Sequence, residues 1–337
     1  MNSASVQPLN PARIFEVMRA FQESAALKAA IDLSIFSVIG EGASTAAEIA
    51  GKCDASERGV RILCDTLVTL DFLRKSERAY SNSPEAAVFL NKKSPAYMGA
   101  ITEFLCMPEM MIGAMQSMTE CVRKGGTAMP GDGTVDPENP IWVRFAEVMS
   151  PIMMPASMAI AAQLPESGAL KVLDIAAGHG IFGIAIAKRN PDAQITALDW
   201  RAVLEVAKRN AVAAGVNGRY NTIPGSAFDM DFGDGYDVVL ITNFLHHFNA
   251  ATNEALLRKV HAALKPGGQA ITLEFVPNEE RTEPVSAVRF ALTMLTGTRE
   301  GDAYTFSEIS QMASNAGFSA SRQIILETLQ SVIISTK

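Results

Sequence analysis

The 337-residue sequence is poor in several features that mark large classes of protein. Its four cysteines, Cys53, Cys64, Cys106 and Cys121, form no CxxC pair. That usage excludes a disulfide framework or a zinc site and reads as buried or free thiols in a reducing compartment. No stretch reaches the run of about 18 apolar residues that a membrane helix needs. The start, MNSASVQPLNPAR, has no basic segment followed by an apolar one, so no secretory signal is read. Basic residues are in the minority, 29 against 36 acidic, for a net charge of −7. Nucleic-acid binding rests on neutralising phosphates, so this balance sets it aside as the main activity. There are only four histidines, none at HxxxH or HExxH spacing, and no metal is implied. What the chain does have is 48% hydrophobic and 19% charged residues, enough for sizeable cores and a length that suits more than one domain. The expectation is a soluble cytoplasmic protein with no membrane partner.

Residues 1–100 read as short helices ending in a hairpin. Ala25–Ile39 carries Leu27, Ile31, Ile35 and Val38 at helical spacing. Thr45 and Glu48 form a capping box before AAEIAGKC, and Ser56 caps a helix running to about Leu70. Asp71–Lys75 and Ala79–Asn82 are two strands around a charged turn. Three helices and a two-stranded wing make a winged-helix pattern. This segment holds 11 Lys or Arg and 11 Asp or Glu, so the basic face of a DNA reader is missing. A protein–protein role is expected instead, with Leu27, Ile31, Ile35 and Phe36 either continuing into a partner or forming this domain's own core.

Residues 101–165 are expected to be helical, linking the domains and lining a pocket. Lys124–Pro140, dense in Gly, Pro and Asp, reads as a surface loop. Ten of the sixteen methionines lie between Met107 and Met158. Methionine is adaptable and contacts aromatic rings favourably, so Met110, Met111, Met115, Met149, Met153 and Met154 could either form plain core or hold a flat aromatic ligand.

From residue 166 to 337 the pattern is alternating strand and helix: KVLDIAA, IFGIAIAKRN, QITALDW, RAVLEVAKRNAVAAG, YNTIPGS, YDVVLITNFL, NEALLRKVHAAL, GGQAITLEF. Such alternation builds a parallel sheet covered on both faces. SRQIILET and QSVIISTK follow with almost nothing between them, which forces an antiparallel hairpin. The fold class is α/β, a Rossmann-like seven-stranded sheet with a reversed last strand, preceded by a mainly α domain.

Gly178, Gly180 and Gly183 follow the first of these strands and open a helix, so backbone amides can approach an anionic group. Asp199 ends the next strand, 21 residues past Gly178, where a carboxylate can accept from ribose hydroxyls. This much fits a dinucleotide as well as other nucleosides. Three features separate the readings: Asp174 inside the first strand, placed to anchor a cation; the turn ALKPGG before the fifth strand; and the closing hairpin.

With these, the half from 165 to 337 resembles a class I S-adenosylmethionine-dependent methyltransferase, with Ala176 standing where that family's motif has its first glycine. The resemblance implies S-adenosylmethionine as cofactor and S-adenosylhomocysteine as product. It places the methionine carboxylate on the loop of Ala176, Gly178 and Gly180, the ribose on Asp199 and the adenine beside Trp200 and the turn Ser226–Ala227–Phe228. Asn243, at the end of the fourth strand, faces the same cleft.

The order of parts over residues 20–337 is similar to the two-domain small-molecule O-methyltransferases, which dimerise through a winged-helix N-terminal domain. In that family a histidine after the fourth strand deprotonates the acceptor. Leu245–His246 matches that motif, while His247 and Phe248 replace its Asp and Trp. Glu274 matches one glutamate that orients the base; the other aligns with Ala303. The resemblance thus implies O-methylation of a small aromatic hydroxyl compound, with His246 as base and Glu274 behind it. Met111, Met115, Met149, Met153, His247, Phe290 and Met294 are expected to line the acceptor pocket. C- or N-methylation at the same cofactor site, a winged-helix regulator that senses S-adenosylmethionine, and a nicotinamide-dependent oxidoreductase are the alternatives.

Overall fold

The computed structural model describes residues 10–107 and 113–337. The chain divides into two compact units, Met1–Thr102 and Glu103–Lys337.

In the first unit, helices α1 (Ala12–Arg19), α2 (Phe21–Asp32), α3 (Ile35–Gly40), α4 (Ala46–Cys53) and α5 (Glu57–Thr69) precede strands β1 (Leu73–Ser76) and β2 (Ala79–Asn82) and helix α6 (Pro84–Phe89). The single helix expected over Ala25–Ile39 is two. Ser34 adopts a left-handed backbone, φ +58°, and breaks it between α2 and α3. The turn folds Ile31, Ile35 and Phe36 into one core with Ile49, Val60, Leu67, Leu73 and Tyr80. Those residues are therefore this unit's own interior. The exposed apolar side chains lie earlier: Ile14, Phe15, Val17, Met18 and Phe21 are 55–70% exposed, on and just after a helix that buries none of its residues. The capping box of Thr45 and Glu48 is present, as is the Ser56 cap. β1 and β2 pair antiparallel, and Ser44 O accepts from Tyr80 N at 2.8 Å.

The second unit begins within helix α7 (Thr102–Leu105), followed by α8 (Gly113–Gln116), α9 (Met118–Lys124), α10 (Ile141–Val148) and α11 (Ser150–Ala161). Strand and helix then alternate: β3 (Leu170–Ile175), α12 (Ile181–Arg189), β4 (Ala193–Asp199), α13 (Arg201–Ala213), β5 (Tyr220–Pro224), β6 (Tyr236–Thr242), α14 (Ala250–Ala263), β7 (Leu264–Glu274). Helices α15 (Val285–Gly297) and α16 (Phe306–Asn315) and strands β8 (Ala320–Ile325) and β9 (Ser331–Thr336) complete it.

The strand order is β5-β4-β3-β6-β7-β9-β8. β3 to β7 run parallel, while β9 lies antiparallel between β7 and β8. The central strands are nearly all apolar because helices cover both faces. Leu173, Ile175, Val239, Ile241, Leu245, Leu256 and Ile333 share one core beneath the sheet's carboxyl edge. The ALKPGG turn is a bulge inside β7: Tyr236 pairs with Leu264, and Val238 with Gln269.

The stretch 124–140 is not the solvent loop its composition suggests. Thr127 and Thr134 are buried, and their hydroxyls donate to the carbonyls of Thr296 and Gly297 at 2.6 and 3.0 Å. A Cβ on Gly126 or Gly133 would run into the carbonyls of Arg299 and Gly297. Here glycine serves close backbone approach to the end of α15.

Candidate active site

Parallel strands deliver their loops to one edge, and the site forms there. β3 ends at Ile175, and the chain turns through Ala176, Gly178 and Gly180, with φ of +52°, +57° and +73°. A Cβ on Gly180 would strike the Tyr220 hydroxyl, and one on Gly183 would lie 2.7 Å from Ile195 Cγ2. The motif glycines are thus required both by turn geometry and by close packing of α12. Ala176 adopts the left-handed backbone without being glycine.

Asp174 is fully buried; its Oδ2 accepts from Gly183 N at 3.3 Å. Among the described residues its Oδ1 has no hydrogen-bond partner, and burial pushes its carboxyl up to about 7. Asp199 accepts from Gly178 N at 2.8 Å and from Trp200 N at 2.6 Å, yet burial still raises it to about 6. Two carboxylates taken from water, with no cation bonded to either among the described residues and a glycine-rich turn beside them, suit a ligand that brings its own positive charge, amine and hydroxyls. The residues present therefore fit S-adenosylmethionine.

The loop after β6 is the neighbouring corner, since Ile175 and Ile241 pair in register. Asn243, at φ +55°, has its backbone N on Leu273 O at 2.8 Å. Its side-chain oxygen accepts from Gln330 Nε2 and its Nδ2 lies 3.7 Å from Met153 Sδ. A 3-10 turn over Leu245–His247 follows. His246 is buried, and its Nδ1 lies 2.5 Å from Glu274 Oε2. The other oxygen of Glu274 accepts from Phe244 N at 3.1 Å and Leu245 N at 2.9 Å. In the tautomer that donates Nδ1–H to this carboxylate, Nε2 is the ring nitrogen left to accept a proton. Asp302 N donates to His246 O at 3.0 Å, which sets Ala303 nearby. Ala303 is buried, and its carbonyl accepts from Arg281 at 2.6 Å. Among the described residues Glu274 is the one carboxylate bonded to the His246 ring.

His247 packs edge-on against Trp142 at 5.2 Å, and burial and the adjacent His246 hold its pKa well below the ordinary histidine value. Phe145, three residues on, stacks on His179 at 5.8 Å. So α10 touches both the glycine loop and the histidine pair. Phe290 meets the His246 ring at 4.8 Å and Met294 is buried one turn further along α15. Met149 and Met153 are buried and Met115 is half-buried on α8. Met110 and Met111 lie outside the described residues. Met154 is 44% exposed and Met158 63%, so they do not join Met149 and Met153 in the interior. The reason is helical phase: Met153, Ala156, Ser157 and Ile160 form the buried stripe of α11. Trp200 opens α13 and packs with Val203, Val206 and Ala146. Ser226 Oγ accepts from Phe228 N at 3.1 Å; Ala227 is buried, and Phe228 is partly exposed against Phe248. Trp142 and Phe145 escape a sequence reading weighted toward methionine; their signal was aromatic residues three apart after Pro140.

A cavity of about 220 Å³, lined by Gly113, Ala114, Ser117, Cys121, Met129 and Thr296, lies apart from the glycine loop and shares none of these residues.

Comparison with known proteins covers both units. Residues 143–319 match the model of the O-methyltransferase domain, and residues 15–92 that of the O-methyltransferase dimerisation domain. The chain is 25% identical over 320 residues to 3-hydroxy-5-methyl-1-naphthoate 3-O-methyltransferase of Streptomyces sahachiroi, covering 93% of this chain and 91% of that one. A solved structure of a Nostoc punctiforme protein assigned to the O-methyltransferases is 47% identical, with a TM-score of 0.95 over 98% of this chain and 100% of its own. Human N-acetylserotonin methyltransferase, solved with S-adenosylmethionine, shares the fold at 20% identity, with a TM-score of 0.85 over 100% of this chain and 99% of its own. These matches leave no place for the regulator and oxidoreductase readings. A cleft built for a cationic nucleoside, on a sheet of this order and with this pair of matched domains, places the chain in the two-domain family of S-adenosylmethionine-dependent O-methyltransferases.

Proposed function

We propose that the chain methylates a hydroxyl on a small aromatic acceptor, with His246 as general base. The observation that carries this is the His246–Glu274 pair at 2.5 Å, which engages Nδ1 with the carboxylate and leaves Nε2 on the far side of the ring. When bound, the cofactor supplies an electrophilic methyl on a positively charged sulfur.

Asp174 and the turn of Ala176, Gly178 and Gly180, at the N-terminal end of α12, hold the amino-acid arm, and Asp199 takes the ribose hydroxyls. Trp200, Ser226, Ala227 and Phe228 border the adenine, and Asn243 borders the sulfur side. His246 Nε2 accepts the hydroxyl proton as the oxygen attacks in line. Alignment of the two reactants supplies about 7–11 kcal/mol of the barrier reduction. The base adds roughly 10²–10⁴-fold. Glu274 fixes the imidazole tautomer and offsets the charge that the ring gains. Met115, Met149, Met153, His247, Phe290 and Met294 form the acceptor's apolar walls, and Met111 is assigned with them from the sequence. The aromatic class of acceptor is supported by these walls and by the naphthoate relative.

The enzyme works as a cytoplasmic homodimer joined through its N-terminal unit. The dimerisation-domain match and the exposed apolar side chains of α1 support that assembly. Incubation with S-adenosylmethionine and 3-hydroxy-1-naphthoate, followed by mass spectrometry, tests the activity. A methyl ether is expected; methylation on carbon, or none, would overturn this reading.

A further inference from the structure

His179 stands between the two left-handed glycines of the β3–α12 loop and is 2% exposed. Its Nδ1 accepts from Ile181 N at 3.3 Å, so its proton is on Nε2. That Nε2 is buried and, among the described residues, has no hydrogen-bond partner. Leaving a buried donor unpaired is costly, and native proteins rarely do so without a water or ligand to meet it.

The ring is held where it stands. It stacks on Phe145 at an interplanar angle of 19°, lies 5.7 Å from Phe182, and its carbonyl accepts from Asn210 Nδ2 at 2.9 Å. Phe145 also covers the loop's first glycine, since a Cβ on Gly178 would lie 3.6 Å from its ring. A fixed N–H is therefore built into the loop that leads into the N-terminus of α12, a helix end that favours an anion. Burial pulls the imidazole pKa down to about 4, so near neutral pH it is an uncharged donor.

We propose that His179 is a cofactor-binding residue, its Nε2–H donating to the carboxylate of the methionine arm of S-adenosylmethionine. The inference rests on the cofactor reading above and gives that arm a side-chain partner besides Asp174. It also makes the loop selective: His179 strengthens ligands that carry the amino acid and does nothing for the bare nucleoside thioether.

Calorimetric titration of the full chain with S-adenosylhomocysteine and with 5′-methylthioadenosine, which lacks the amino-acid arm, separates the two. His179→Phe keeps the ring stacked on Phe145 and removes the donor. It is expected to weaken S-adenosylhomocysteine about tenfold and to leave 5′-methylthioadenosine within twofold; His179→Gln, which can still donate, recovers most of the loss. In the wild type, the Nε2–H proton resonance of His179 should move downfield with S-adenosylhomocysteine and stay in place with 5′-methylthioadenosine, a measurement that needs no variant to fold. Equal weakening of both ligands, no weakening of either, or an unmoved resonance would overturn the role of His179 alone. Failure of the wild type to bind S-adenosylhomocysteine would remove the cofactor site itself, and this inference with it.

Discussion

Glu274 grips His246 from the end of the adjacent strand: one carboxylate oxygen meets the ring at 2.5 Å while the other ties down the backbone just before it. Ring and loop are therefore set by the same group. Replacing His246 by Ala should lower kcat by two or more decades with the affinity for S-adenosylhomocysteine kept within twofold. Glu274→Gln should also lower kcat, and in addition lower Tm, because three hydrogen bonds to a charged acceptor weaken together. Steady-state kinetics beside a thermal melt would show the contrast. Full activity in His246→Ala would make that histidine structural.

Asp174 ties the free enzyme's stability to pH. Its folded pKa is about 7 against an ordinary 3.8, so the folded chain binds the proton more tightly than the unfolded chain does. Between those values stability must fall as pH rises. Melts of the ligand-free protein should show Tm dropping from pH 5 to pH 8, and Asp174→Asn should flatten that slope. Cofactor affinity should run the other way in the wild type, strengthening up to about pH 7 as the carboxylate ionises to meet a cation. Asp199, raised to about 6, adds a smaller effect of the same sign.

Ala176 holds φ +52°, a backbone that costs an L-residue with a Cβ roughly 1 kcal/mol. Ala176→Gly removes that cost, part of which returns as backbone entropy in the unfolded chain. We expect a small gain in Tm with cofactor binding intact. The reverse change four residues along, Gly180→Ala, drives a methyl into the Tyr220 hydroxyl and should abolish binding while lowering Tm by several degrees.

The apolar face of α1 gives the assembly a direct test. Phe15→Glu combined with Met18→Glu places two charges among side chains that are more than half exposed in the single chain. Light scattering should report a monomer for the double variant and a dimer for the wild type, with far-ultraviolet circular dichroism nearly unchanged. A variant that stays dimeric would move the interface elsewhere.

What the sequence made legible was whatever is local. Asp174, the glycines and Asp199 lie within 26 residues, and strand–helix alternation needs only near neighbours to be read. Leu245–His246 and Glu274 were found by likeness to a family, and the fold brought them into contact. Less legible were features that depend on tertiary contact. Ser34 carries no glycine or proline signal for the break between α2 and α3. The glycines of 124–140 are identical in composition to those of a solvent loop, and only the end of α15 pressed against them tells the difference. The methionine cluster divides by helical phase, which set Met153 inside and Met154 outside. Trp142 and Phe145 acquire their meaning from the two histidines they touch, 105 and 34 residues away along the chain.

The position of β9 carries a consequence for biosynthesis. β7 is made more than fifty residues before the strand that covers its open side, and β8, made in between, ends up beyond that strand. Through that interval the emerging polypeptide exposes a long row of unanswered amides and carbonyls, a template for association with other chains. A premature stop shortly before Ser331 would therefore yield a sticky product as well as an idle one, and chaperone demand should be highest while those final residues are still inside the ribosome.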